Sequence, residues 1–193
     1  MPKAAKLKRR NTPSTKRQGK AILRAALTSR LQRAGLSETV TLKIAKQLFS
    51  NGAAIDGYQL GRVIGIAMDA DSATAALDHE ILHAMRDAKI WGVEGGLIGE
   101  SDWRTLVRAV RRDPARLKAA TEAYPDLTSR EQMEEAVADM FADYRAGRDV
   151  MQAKGVFGRI MAALDGLVAT MRGAGYKSAT DVMGAIADGT LGQ

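Results

Sequence analysis

Apolar residues recur at steps of three and four along most of the chain, a spacing typical of amphipathic helices. From Lys20 the pattern predicts a helix that ends at Gly35. A second helix is predicted after Ser37, with apolar positions continuing to Leu48 and an end at Asn51-Gly52. Each helix would pack one apolar face against a core.

One segment has a different pattern. Residues 61–68 are rich in β-branched side chains, contain two glycines and are too short for a comfortable helix. We therefore predict a strand there. Asp71 or Ser72 can then cap a helix over residues 73–89, before a glycine-containing loop.

The rest of the chain is predicted to be helical. Helices are expected from Ser101 to a break at Pro114, from there to Tyr124, from Ser129 to Gly147, and over residues 156–172 and 178–187. Together these elements predict a mostly helical α+β fold, with one domain over residues 21–193.

Positive charge is concentrated at the N-terminus. Residues 1–33 hold eleven Lys or Arg and no acid, so the remaining chain has 18 basic and 22 acidic residues, a net charge of −4. We predict that residues 1–20 form a basic, disordered arm. A nucleic-acid contact through residues 1–33 is the alternative, although no aromatic side chain is interleaved with these basic residues.

Composition narrows the remaining possibilities. No apolar run is long enough for a membrane helix and none resembles a signal peptide, so we expect a cytoplasmic protein without a membrane partner. The chain has no cysteine. Any metal site must therefore use nitrogen and oxygen ligands from His, Asp and Glu.

The candidate chemistry lies in the middle of the predicted 73–89 helix, where the sequence reads His79-Glu80-Ile81-Leu82-His83. Residues four apart lie one turn above each other, so both imidazoles can bind one Zn²⁺ ion. Glu80 lies beside them as the general base of a zinc hydrolase. The alternative is a helix that carries two histidines one turn apart by coincidence. These are the only two histidines of the chain.

A catalytic zinc site needs a third protein ligand. With histidine and cysteine exhausted, the candidates are the acids on the helix that begins at Ser129: Glu131, Glu134, Glu135, Asp139 and Asp143. Three of them, Glu131, Glu135 and Asp139, share one helical face. The alternative is that this helix simply presents a solvated acidic face.

The segment Glu135-Ala136-Val137-Ala138-Asp139 resembles thermolysin-like zincins, in which a Glu ligand is followed four residues later by an Asp that hydrogen-bonds a ligand histidine. This resemblance implies Glu135 as the third ligand and Asp139 as the histidine's partner, with Glu134 as the alternative ligand. The chain departs from that pattern in having no third histidine to stabilise the oxyanion. Tyr124, Tyr144 or an arginine are open candidates for that role.

Four segments also resemble the metallopeptidase domain of the large polyvalent proteins of phages and mobile elements: residues 77–86, 96–103, 134–142 and 171–192. The resemblance covers about residues 55–192. It implies a zincin-like fold with a small β-sheet and an HExxH active-site helix. It also implies a phage- or element-encoded peptidase that acts in the host cytoplasm, associates with the virion or is delivered with phage DNA.

The expected activity is hydrolysis of a protein or peptide, which could bind in extended form along the edge of the strand near residues 63–68. Two other functions fit the same residues. One is a zinc-stabilised nucleic-acid-binding module that uses the N-terminal arm. The other is a zinc hydrolase with a different substrate, because the motif identifies a metal and a base more firmly than a substrate.

Overall fold

The computed structural model describes residues 13–37, 39–50, 52–70, 72–150 and 153–174. The described part is mostly helical with a small sheet, which confirms the predicted α+β class. Its elements are α1 (Pro13–Arg33), β1 (Thr41–Ala45), β2 (Leu48–Ser50), β3 (Ala53–Ile55), β4 (Gly57–Leu60), β5 (Val63–Ala67), α2 (Ala73–Arg86), α3 (Ala88–Trp91), α4 (Glu100–Arg111), α5 (Pro114–Ala123), α6 (Ser129–Arg145) and α7 (Lys154–Ala174).

Three strands form a sheet in the order β1-β5-β4, and β2 pairs with β3 separately. The predicted strand at residues 61–68 is confirmed as β5, in which Ile64 and Ile66 are fully buried. It runs parallel to β1 and antiparallel to β4. Because both edges of β5 are paired, the expectation that a peptide could lie along its edge is wrong. The two edge strands of this sheet are β1 and β4.

The predicted helix between Ser37 and Asn51 is also wrong, because β1 and β2 lie there. In β1, Leu42 and Ile44 are partly buried and alternate with exposed Thr41 and Lys43. Alternation is the pattern of a strand, and pairing with the buried β5 favours it over the competing helical spacing. Tertiary partners decide such short ambiguous segments.

Several helix boundaries differ from the prediction. α1 begins at Pro13 rather than Lys20. The predicted 73–89 helix divides at Asp87, which ends α2 and caps α3 by accepting a hydrogen bond from the Lys89 amide at 2.8 Å. Gly99, without a side-chain cap, precedes α4, so that helix begins at Glu100 rather than at Ser101.

The other helices agree better with their predictions. α6 begins at Ser129 as expected, and Thr128 and Glu131 form a capping box that fixes this start. α7 covers the predicted 156–172 helix. The helix predicted over residues 178–187 lies outside the described residues.

Helix α2 runs through the centre of the core. Leu77, Ile81, Leu82 and Met85 on α2 are fully buried, and Phe141 on α6 belongs to the same apolar cluster. The helix packs against α6, α1 and the sheet, so its sequence motif faces the acidic residues of α6. Among the described helices, none has the length and apolar character that crossing a bilayer requires.

Candidate metal centre

Local sequence fixes the start of α2, the helix that carries the two histidines. Ser72 is its N-cap, and its hydroxyl accepts a hydrogen bond from the Ala75 amide at 3.3 Å. Four residues apart, His79 and His83 lie one above the other, with ring centroids 5.0 Å apart. Their side chains are only 13% and 16% exposed, so water competes little for their ring nitrogens.

The donor atoms of His79, His83 and Glu135 converge on one point. Nε2 of His79 lies 3.1 Å from Nε2 of His83 and 2.9 Å from Oε2 of Glu135, and Nε2 of His83 lies 3.5 Å from Oε1 of Glu135. Ligands in a tetrahedral zinc site are about 3.3 Å apart when each bond is about 2.0 to 2.1 Å long. The three side chains, which we call the ligand cluster, therefore fit one such ion in spacing and in donor type.

Each ligand histidine has its own carboxylate on the opposite side of the ring. Nδ1 of His79 lies 2.9 Å from Oδ1 of Asp139, the contact that the resemblance to thermolysin-like zincins implies. Nδ1 of His83 lies 3.3 Å from Oε1 of Glu134. Such carboxylates fix the tautomer and orientation of a ligating imidazole and raise its basicity.

The two neighbouring glutamates of α6 contact different histidine nitrogen atoms. Glu135 reaches the nitrogen atoms that face the centre of the ligand cluster, whereas Glu134 reaches the far nitrogen of His83. Two other acids of α6 have partners away from the ligand cluster. Glu131 closes the capping box, and Asp143 accepts hydrogen bonds from Arg116 and Arg148.

The protonation states reflect these contacts in the metal-free protein. Burial lowers the pKa of His79, but hydrogen bonds with Asp139 and Glu135 outweigh it and raise the pKa to about 9. Burial likewise opposes the hydrogen bonds of His83 with Glu134 and Glu135, and its pKa rises to about 10. Burial raises the pKa of Glu135, yet the two histidines lower it to about 2. Metal binding must therefore displace protons from the histidines.

Glu80 lies on α2 between the two histidines in sequence and is 8% exposed. Burial raises the pKa of its carboxyl group, against the opposing effect of both histidines. Strand β4 passes close to it: a Cβ atom at Gly57 would lie 3.0 Å from Oε1 and 3.1 Å from Cγ of Glu80. The glycine thus leaves the room that the Glu80 side chain occupies beside the sheet edge.

The two tyrosines considered for oxyanion stabilisation occupy different environments. Tyr144 packs against Phe141 and Phe157, with ring centroids 6.4 Å and 5.4 Å away. Tyr124 follows α5, and the charges of the site affect the pKa of its hydroxyl group. Burial, followed by the negative charges of acids that include Glu135, raises the pKa of its phenol to about 12, so the hydroxyl stays protonated as a donor.

Sequence reasoning missed the contacts that support His83 from behind. The sequence predicts Glu134 only as an alternative ligand. Its other carboxylate oxygen, Oε2, lies 3.9 Å from Nε of Arg86. The Arg86 guanidinium lies 3.6 Å from the centre of the Trp103 ring. The available signal was spacing, because Arg86 follows His83 by three residues and therefore lies on nearly the same face of α2.

Comparisons with protein-family models, curated proteins and solved structures gave no match to this chain. The functional conclusion therefore depends on the residues and geometry of the site.

Proposed function

We propose that this chain is a zinc-dependent peptidase of the zincin type. The observation that carries the proposal is the convergence of two imidazole nitrogens and one carboxylate on a space that fits one ion, with ligand atoms all within 4.8 Å of one another. A helical His-Glu-x-x-His motif that adds a buried carboxylate between two such ligands is the arrangement used for metal-assisted hydrolysis.

The roles of the residues follow from their positions. When bound, zinc supplies Lewis acidity, which lowers the pKa of a water molecule and polarises the scissile carbonyl group. Glu80 accepts a proton from the attacking water and then transfers it to the nitrogen of the leaving amine. Asp139 and Glu134 hold the far nitrogens of the two ligand histidines, so that the near nitrogens keep their lone pairs directed inward.

The sheet offers a place for an extended substrate. Within the described part of the chain, β4 pairs with β5 alone, so its other edge presents backbone groups for hydrogen bonding. Gly57 on this strand adjoins the Glu80 side chain. A peptide added along β4 would therefore pass beside the proposed general base, and main-chain hydrogen bonds would align it.

The biological setting is proposed from the resemblance alone. A peptidase like those of large polyvalent proteins would be encoded by a phage or mobile element and would cleave a host or phage protein. Its site of action would be the host cytoplasm, reached by synthesis there, by packaging in the virion or by delivery with phage DNA.

Replacing Glu80 with Gln tests the proposal. Glu80→Gln keeps the size of the side chain but removes the proton acceptor, so zinc content should be unchanged while cleavage of an unstructured protein substrate is lost. Glu122→Gln is the matched control, because Glu122 is 67% exposed and, among the described residues, pairs only with Lys118. Cleavage by Glu80→Gln at the rate of the control would contradict the assignment.

The second candidate is a zinc-stabilised module that binds nucleic acid through its basic N-terminal arm. The eleven basic residues among residues 1–33 favour it. If deletion of residues 1–20 abolished binding to a labelled oligonucleotide while peptidase activity was absent from the zinc-loaded protein, this candidate would replace the first.

A further inference from the structure

A cavity lies apart from the ligand cluster, whose three side chains do not line it. It is an open cleft of about 780 Å³ between the end of α1, the end of α6 and the start of α7. Five of the nine residues that line it are basic and one, Asp149, is acidic. The basic residues are Arg30, Arg33, Arg145, Arg148 and Lys154. We call this cavity the basic cleft.

A buried carboxylate holds two of these arginines in place. Asp78, whose side chain is 1% exposed, accepts hydrogen bonds from Nε of Arg30 at 2.7 Å and from Nε of Arg145 at 3.3 Å. Nη2 of Arg30 also contacts Asp78 and donates to the backbone carbonyl of Arg145 at 3.0 Å. These two side chains are therefore pre-organised, and little conformational freedom remains for a ligand to remove.

The same arginines retain unused hydrogen-bonding capacity. A guanidinium has five N–H donors. Within the described residues, Nη1 of Arg145 meets only the sulfur of Met161, at 3.8 Å, which is a weak acceptor. The hydroxyl-bearing Tyr144 also lines the cleft, as a further potential donor. Donors of this kind match the oxygen atoms of phosphate groups.

Positive charge remains after nearby acids are counted. Asp143 accepts hydrogen bonds from both Arg116 and Arg148, so one carboxylate is shared between two arginines, as Asp78 also is. In the part of the chain that the structure describes, three carboxylates line the cleft or accept hydrogen bonds from its arginines, against five basic residues; they are Asp78, Asp143 and Asp149.

Helix ends alter that balance only slightly. Basic residues in the last turns of α1 and α6 also offset the negative ends of those helices. Each helix end corresponds to about half an elementary charge, and the N-terminus of α7 contributes the opposite sign. The cleft is thus left with an excess of about 1.5 positive charges. Compensation of helix ends alone does not account for it.

From this geometry we infer that the basic cleft binds a phosphate-bearing ligand of about nucleotide size. Its volume lies within the range of small-molecule sites, about 300 to 1,000 Å³. The shared chemistry is a phosphoryl group, which a free nucleotide or the backbone of a nucleic acid can supply. The inference does not depend on the proposed peptidase activity, because none of the ligand cluster lines the cleft.

The test is calorimetric titration of the full-length, zinc-loaded protein with adenosine 5′-monophosphate at constant ionic strength. We expect saturable binding that the double substitution Arg33→Ala/Arg148→Ala weakens at least about tenfold, the effect of losing one charge-assisted hydrogen bond. Both side chains are exposed, so the fold should survive their removal. The double substitution Arg104→Ala/Arg111→Ala removes the same charge from exposed positions on α4 and should change affinity less than about twofold.

Two further arms locate the bound phosphate and its source. Because phosphate also binds zinc, the titration is repeated with His83→Ala, in which binding at the basic cleft should persist. A short oligothymidylate that competes with the nucleotide identifies a nucleic-acid backbone as an accepted source of the phosphoryl group. Failure to compete restricts the site to small phosphate compounds. Either result presupposes that the nucleotide itself binds to the basic cleft. Absence of saturable binding, loss of it in His83→Ala, or equal weakening in both double variants would overturn the inference.

Discussion

Replacing Glu135 with Gln should weaken zinc binding far more than replacing its neighbour Glu134 with Gln. The two residues differ in which histidine nitrogen they reach. Glu135 oxygens lie 2.9 and 3.5 Å from the Nε2 atoms of His79 and His83, whereas Glu134 lies 3.3 Å from Nδ1 of His83. Only the first position is available for direct coordination of a shared ion.

The expected magnitudes follow from this difference. A carboxylate behind a ligating histidine contributes about 10- to 100-fold to metal affinity, or about 1.4 to 2.7 kcal/mol. We expect the loss of zinc affinity in Glu134→Gln to fall within that range. It should not be larger, since an amide oxygen can still accept the hydrogen bond from the imidazole. Glu135→Gln replaces a charged ligand by a neutral amide, and its loss should exceed about 100-fold.

Competition with a chromogenic zinc chelator measures both affinities on the same scale. Glu122→Gln serves as the control for a general change in charge and should bind zinc like the wild type. A loss in Glu134→Gln equal to or larger than that in Glu135→Gln would refute the assignment of Glu135 as the third ligand.

Four further outcomes follow from the structure. Because the pKa values of the two ligand histidines are raised to about 9 and about 10, zinc binding displaces up to two protons. Chelator competition should therefore show zinc affinity rising by up to about 100-fold per pH unit from pH 7 to 9 and levelling above pH 10. A plateau already at pH 7 would show ordinary histidine pKa values. The same shifts stabilise the metal-free fold below pH 6.5, and chemical denaturation should show that stability lost as the pH rises through 9 and 10. If Tyr124 stabilises the oxyanion, Tyr124→Phe should lower kcat by about 10²- to 10³-fold with zinc retained, and Tyr144→Phe should not; equal kcat values for the two variants would exclude this role. Gly96 has a φ of +61°, and a Cβ there would lie 2.1 Å from a backbone oxygen of α2. Gly96→Ala should therefore reduce the free energy of unfolding by more than about 2 kcal/mol in urea denaturation, whereas Gly155→Ala should not destabilise the protein. Similar free energies of unfolding for both variants would contradict the packing described.

Local pattern predicted the parts of the site that depend on one helix. The spacing of His79, Glu80 and His83 is a property of α2 alone, and helical geometry brings the two rings together whatever surrounds them. Glu135 required a resemblance, because its distance from the histidines depends on how α6 packs against α2. The role of Glu134 depends on the same packing, and side-chain spacing along α6 does not reveal it.

The buried ionic contacts show a signal that was present in the sequence. Asp78 lies on α2 four and seven residues before the fully buried Leu82 and Met85, where the apolar stripe would place a hydrophobic residue. A buried carboxylate requires partners. The identity of those partners, Arg30 and Arg145, was not predictable, since they lie 48 and 67 residues away on different helices.

The sheet was the weakest part of the prediction. Residues in β1 satisfy both a helical and an alternating pattern, and the choice between them is made by β5, which the sequence places about twenty residues later. Strand β4 contains Gly57, and Tyr58 lies over Gly65 of β5, where an added Cβ would come within 2.1 Å of the tyrosine ring. Such cross-strand packing is invisible to a local pattern.

Metal content of the purified protein tests the central claim most directly. Wild type and Glu80→Gln, loaded with zinc and then desalted, should each retain one zinc ion per chain by mass spectrometry of the metal, whereas His83→Ala should retain almost none. Wild-type protein that holds no zinc, or a His83→Ala variant that holds as much as wild type, would contradict the claim that His79, His83 and Glu135 bind one ion.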